Sequence, residues 1–234
     1  MNFSPYHQFK NQSKLKNLII DFNNSRNILN DTRDNFNTYN SALIHKLKSA
    51  KYNLDRLEEK LTQTDIQEAA DITGDFLFEV NMFIDGFFYS AGSAMDILAR
   101  VVLTLFGENL PDNVYFETAY NVLNARRPGD SILARLSRPS WKEKFSNYRN
   151  ALTHELIIAS KYHIEIDPME SIPIHRIVFP LADDPRATQH NRTYKHNPNV
   201  FIYLTTHFKR ILRLVNTIYG DIYDRAFSEG SLPL

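Results

Sequence analysis

Apolar residues recur at three- and four-residue spacing along most of the chain, the periodicity of helices that bury one face. The clearest run begins at Asp31, where Phe36, Tyr39, Leu43, Leu47, Ala50, Leu54, Leu57 and Leu61 extend over nearly four heptads and read as a structural seam. Upstream, Phe9, Leu15, Leu18, Ile19 and Phe22 predict a first helix within Pro5 to Asn30, although its Asn-rich end forms helix poorly. Thr64 and Asp65, with Gln67 and Glu68 three residues on, carry the start signal of a third helical region. That region is expected to run to Phe106 with a kink near Gly74. Its stretch from Phe76 to Phe106 is apolar round most of its circumference and belongs at the centre of the fold. Gly107 is placed to end it in the C′ position.

Shorter helices are expected from Asn113 to Asn124 and from Ser131 to Ser137, split by Arg126-Arg127-Pro128-Gly129-Asp130. The period then changes. Tyr162 to Asp167 alternates, and Ile172 to Leu181 is β-branched and bounded by prolines, which predicts a small antiparallel hairpin inserted between helices. Ala182 to Asn199 is a polar loop. The last helix, Val200 to Phe227, packs through positions such as Leu204, Phe208, Ile211 and Val215, and the tail after it is expected to fray. The fold class is therefore all-α: one domain over 1–234, with a core of long antiparallel helices over about 31–227 and a hairpin-and-loop insertion over 162–199.

One helix, Ser140 to Ile158, carries the chemistry. Ser140 with Glu143 makes a capping box behind Pro139. At about 100° per residue, Trp141, Phe145, Tyr148, Leu152, Leu156 and Ala159 form the buried stripe. Asn147, Asn150 and His154 lie opposite, with Ser146 and Thr153 beside them, on a polar face almost without charge that suits a ligand or a second subunit. Arg149 stands at the border, roughly 140° from His154. A guanidinium and an imidazole on one helix are chemically suited to a phosphate.

Composition narrows the rest. The chain has no cysteine, which removes disulfides, thiolate metal sites and cysteine nucleophiles and fits a reducing compartment. No run of about 18 apolar residues and no leader pattern is read, so no membrane association and a cytoplasmic location are expected. Net charge is zero, which argues against gripping long nucleic acid by bulk electrostatics. Locally, however, Asn121 to Asn150 holds seven Lys or Arg, among them Arg126, Arg127 and Lys142, against Asp130 and Glu143. This basic zone adjoins the motif; it reads equally as an RNA-facing surface or as a solvated face. His190, His196, Arg186, Arg192 and Lys195 make the polar loop a second RNA-touching candidate beside the plainer reading of a surface loop, and their spacing does not suit a metal.

On the central helix, Asp85, Tyr89, Ser93, Asp96 and Arg100 fall on one polar stripe, with Asp96 and Arg100 spaced to pair. A structural ion pair between helices and a functional role both remain open.

The run Arg149-Asn150-Ala151-Leu152-Thr153-His154 in an all-helical chain resembles the Arg-x-His signature of the HEPN superfamily, the higher eukaryotes and prokaryotes nucleotide-binding domains, in its shortest spacing. Asp96 and Arg100 resemble the acidic residue and following basic residue that the family places on the neighbouring helix, with Asp where Glu is common. The resemblance implies a HEPN-like helical bundle, a homodimer whose motif helices meet, and a metal-independent endoribonuclease with no cofactor, often a toxin or defence effector with a cognate antitoxin. It assigns catalysis to Arg149, His154, Asn150 and Asp96 and substrate contact to Arg100, while the basic zone, and not the resemblance, adds Arg126, Arg127 and Lys142 as candidate substrate contacts. It equally implies the alternative of a non-catalytic module that binds nucleotides or proteins. A satisfied interface histidine in an unrelated bundle is the third reading of His154.

Overall fold

The computed structural model describes residue 24 and residues 30–62, 72–108, 110, 113–137, 140–154, 162–167, 174–187, 191–195 and 199–228. At 30, 140, 153–154, 166–167, 174–176 and 226–228 only the backbone is described. These residues form six helices and one two-stranded sheet: α1 (Asn30–Leu61), α2 (Gly74–Leu105), α3 (Phe116–Arg126), α4 (Ile132–Leu136), α5 (Ser140–His154), β1 (His163–Asp167), β2 (Ile174–Val178) and α6 (Val200–Ser228). The all-α expectation is met in this mostly helical fold. The helix expected within Pro5 to Asn30 falls almost wholly outside the described residues.

The heptad-like run of α1 does bury its seam, with Phe36, Leu43, Leu47 and Leu57 all at 1% exposure or less. Burying each such side chain contributes about 2 kcal/mol. The next helix does not pass through Gly74 with a kink. Residues 72 and 73 are non-helical, and α2 starts afresh: Thr73 caps it, its Oγ1 accepting the Phe76 N–H at 3.2 Å and its carbonyl the Leu77 N–H at 3.1 Å. The start signal at Thr64 and Asp65 lies outside the described residues. By length and composition α2 is apolar enough to cross a membrane, yet 72% of its most apolar window is buried, the situation of a core helix. It ends as the glycine pattern predicts: Gly107 has φ +66°, and the Glu108 N–H returns to the Leu103 carbonyl at 3.0 Å.

The hairpin forms where the alternation predicts it, antiparallel, with Ile164 opposite Ile177 and His163 opposite Val178. The loop after it is closed by Asp183, whose Oδ2 accepts the Thr193 hydroxyl at 2.6 Å and the Lys195 N–H at 3.0 Å. Asn199 then caps α6, its Oδ1 taking the Phe201 N–H at 2.7 Å.

The chain divides into two compact units, one of Met1–Lys48, Ala91–Pro139 and Lys209–Leu234, the other of Ser49–Ser90 and Ser140–Phe208. Helices α1, α2 and α6 contribute segments to each. Within the first unit, Tyr219 donates to Asn40 Oδ1 at 2.8 Å in the interior. Within the second, an aromatic cluster joins α2, α5 and α6: Phe88 lies 5.0 Å from Phe145 and 6.2 Å from Tyr148, and His207 stacks on Tyr203 at 3.9 Å.

Candidate functional site

Helix α5 is fixed by its apolar stripe. Phe145 and Tyr148 are each 1% exposed, and Tyr148 donates its hydroxyl to the Ala182 carbonyl, which ties the helix to the segment after β2. With Tyr148 anchored inward, the rotation of the next two residues about the helix axis is set. Asn150 is exposed and Arg149 half-buried. His154 lies in the last described turn, five residues beyond Arg149 and thus about 7.5 Å further along the axis. The imidazole of His154 and the capping side chain of Ser140 lie outside the described side chains. Leu152, expected on the buried stripe, is half-buried.

The residues predicted to act with this motif fall into two groups. Arg149, Asn150 and His154 belong to the second unit together with Lys142, whereas Asp96, Arg100, Arg126 and Arg127 belong to the first. Asp96 has a definite structural task, since its Oδ1 accepts the Phe116 N–H at 3.1 Å and so caps the start of α3 from another helix. Arg100 lies over the Tyr39 ring with its guanidinium carbon 5.8 Å from the centroid. The polar stripe they were read on is the accessible side of α2: Asp85 and Tyr89 are exposed, and Ser93, Asp96 and Arg100 half-buried.

Three cations of the basic zone read between Asn121 and Asn150 have acidic partners from outside it. Arg126 Nη1 is 2.8 Å from Glu108 Oε2 and Arg127 Nε 3.8 Å from Oε1, and the Glu108 side chain is only 4% exposed. Arg127 also donates to the Phe106 carbonyl at 3.3 Å and lies over the Phe106 ring. Arg135 pairs with Asp221 at 2.8 Å. Lys142 is 4% exposed, an interior residue in place of the solvated cation that the charge run suggested. In the polar loop, Arg186 pairs with Asp184 at 3.5 Å and Arg192 donates to the Ala187 carbonyl at 3.2 Å, while His190 and His196 lie outside the described residues.

Two features went unread in the sequence. Glu108 sits outside the window over which charge was summed, eighteen residues before Arg126, so nothing local announced the pairing. The second is Asp130, which Arg225 grips at 2.6 Å and 3.0 Å while its Oδ1 accepts the Ile132 N–H at 2.9 Å. The Arg225 hydrogen bonds hold the Asp130 carboxyl below its ordinary range. Asp85 moves the other way, its carboxyl raised by desolvation among the side chains around it.

Chemically, the motif helix presents a guanidinium and an amide near the surface with a histidine on the same helix, a set able to hold an anion. Among the described residues no group of three or more His, Asp or Glu is arranged to hold a metal ion. Against known proteins the chain finds no counterpart: no protein-family model, curated protein or solved structure matches it significantly.

Proposed function

We propose that the chain is a HEPN-type, metal-independent endoribonuclease acting as a toxin or defence effector. His154 exchanges the proton at the ribose 2′-hydroxyl or the leaving oxygen, being the side chain whose ordinary pKa lies nearest neutrality. Arg149 stabilises charge on the phosphorane-like transition state, and Asn150 holds the imidazole or a phosphate oxygen. The products are a 2′,3′-cyclic phosphate and a 5′-hydroxyl. The partners are RNA, a second copy of the chain and a cognate antitoxin, in the cytoplasm. The observation that supports this reading is the anchoring of α5 through Phe145 and Tyr148, which leaves Arg149 and Asn150 toward the surface, with His154 on the same helix.

A second reading, a non-catalytic module that binds a nucleotide or a protein, is favoured by a different observation. Asp96 is committed to capping α3, Arg126 and Arg127 to Glu108, and Lys142 to the interior, so these four side chains already have structural work.

Incubating a mixed RNA substrate with the purified protein in EDTA, beside His154→Ala and Arg149→Ala, separates the two. Nuclease chemistry gives fragments with cyclic phosphate ends and at least about a hundredfold loss of cleavage in each variant. A folded wild type that leaves the RNA intact sinks the nuclease reading and leaves the binding module.

A further inference from the structure

Helix α2 leaves one straight seam in the open. Asp75, Phe78, Met82, Asp85 and Tyr89 are spaced by three, four, three and four residues and fall within about 80° of one another. All five are exposed, Phe78 and Tyr89 at 66% and Met82 at 55%. That is the spacing on which another helix seats side-on. Helix α1 broadens the face. Lys60 meets Glu79 at 2.6 Å, and a Cβ on Gly86 would lie 2.5 Å from Asn53 Oδ1. Seven residues back along α1 thus match seven forward along α2, so the two helices run antiparallel and Tyr52 stands level with Phe87. Tyr52, 57% exposed, is turned about 100° from Asn53, away from the buried Leu54 and onto the side of the seam.

The charge around the seam decides what can cover it. Between Ser49 and Leu61 and between Gly74 and Ser90 there are three cations against six carboxylates, in a chain whose net charge is zero. Each cation is already engaged within the two helices: Lys51 with Asp55, Arg56 with Glu59 at 2.6 Å, and Lys60 with Glu79. Asp75 and Asp85, the two carboxylates on the seam, have no hydrogen-bond or ion-pair partner among the described residues. Asp85 is already partly desolvated, which raises its carboxyl. An uncharged apolar surface laid over the seam would bury both anions unpaired, at a cost that cancels the gain from the aromatic side chains. RNA phosphates and anionic lipid headgroups meet like charge there.

We propose that this α1–α2 face docks a cationic amphipathic helix of another protein, which lays an apolar stripe along Tyr52, Phe78, Met82 and Tyr89 and sets two Lys or Arg against Asp75 and Asp85. Ten residues of α2 separate the two acids, about 15 Å, so the cations of the docked helix stand about ten residues apart. The four apolar side chains, each a little over half exposed, offer roughly 400 Å². That is about half of a standard interface side of about 800 Å², which suits a single helix and an affinity of about 10 µM. The inference rests on α1 and α2 alone and holds whether or not the chain cleaves RNA.

Fluorescence anisotropy of the full chain with two labelled synthetic peptides tests it. Both are monomeric amphipathic helices of about 20 residues with Leu along one face; one carries Lys at two positions about ten residues apart beside that face, the other Glu at the same places. The Lys peptide is expected to bind with a Kd of about 10 µM and the Glu peptide at least about tenfold more weakly. Phe78→Ser with Met82→Ser should weaken the Lys peptide at least about thirtyfold with an unchanged far-UV circular dichroism spectrum. Asp75→Lys with Asp85→Lys should reverse the preference, so that the Glu peptide binds the tighter of the two. No saturation by the Lys peptide at about 200 µM, binding indifferent to Phe78 and Met82, or a preference unmoved by the charge reversal each overturns the proposal. So does single-stranded RNA, a phosphatidylserine vesicle or a second copy of the chain that binds the wild type and is lost with the Phe78 and Met82 changes. Because the peptide assay contains no cleavable RNA, its failure is distinct from a failure of RNA cleavage.

Discussion

Arg225 holds Asp130 through two guanidinium nitrogens across 95 residues of chain, at 2.6 Å and 3.0 Å, joining the last helix to the loop that starts α4. The side chains are 19% and 17% exposed, so the pair is largely withdrawn from water. Asp130→Ala should cost roughly 2 kcal/mol in a urea titration. The acid side carries the sign: a carboxyl held below its ordinary value stabilises the fold fully above that value, and the contribution fades as pH falls through the lowered folded pKa. The wild type should therefore lose stability more steeply than Asp130→Ala as pH drops below about 4, and parallel pH profiles of the two would refute the linkage.

Asp96 offers a way to tell a cap from a catalytic group. As the acceptor for the Phe116 N–H it should tolerate Asn, which retains an oxygen, and lose about 1 kcal/mol on replacement by Ala. RNA cleavage should be indifferent to Asp96→Asn once the protein is folded. A variant that melts normally but has lost cleavage would return Asp96 to the reaction.

Gly86 is required by Asn53, whose Nδ2 donates to the Ser49 carbonyl at 2.8 Å and whose Oδ1 would be struck by any Cβ at position 86. Gly86→Ala is expected to destabilise by about 1 kcal/mol despite the better helix propensity of alanine. In an Asn53→Ala background the same change should turn neutral or stabilising, because the obstructing atoms are gone. Thermal melts of the four proteins complete the cycle.

Arg127 should behave as a structural residue. Its contacts with Glu108, the Phe106 carbonyl and the Phe106 ring predict a melting temperature a few degrees lower in Arg127→Ala, with RNA affinity within about twofold of wild type. A tenfold loss of affinity in a filter-binding assay at fixed salt would restore the basic-zone reading.

Periodicity and glycine placement made the long helices, the hairpin and the Gly107 stop legible, because those signals are local. The fresh start of α2 was missed for a similar reason: Thr73 and Gly74 form an ordinary capped start, but the apolar pattern beyond them invited reading one longer helix. Partnerships across the chain were not legible at all. Seven cations between residues 121 and 150 face only Asp130 and Glu143 in the sequence; Glu108 and Asp221 reach three of them from elsewhere in the chain, and nothing local to Lys142 says that it turns inward. Within the candidate site, the burial of Phe145 and Tyr148 followed from helical angles, whereas the capping role of Asp96 required the position of a helix start twenty residues away.

The aromatic cluster around His207 has a practical consequence. The chain contains one tryptophan, Trp141, and it sits there, 6.4 Å from Phe145 and 5.6 Å from His207, inside the second unit. Indole fluorescence is therefore a local reporter of that unit, while the amide bands of circular dichroism sum over all six described helices. Denaturation followed by both signals at once reveals whether the unit carrying the Arg149 motif opens with the rest of the molecule or ahead of it.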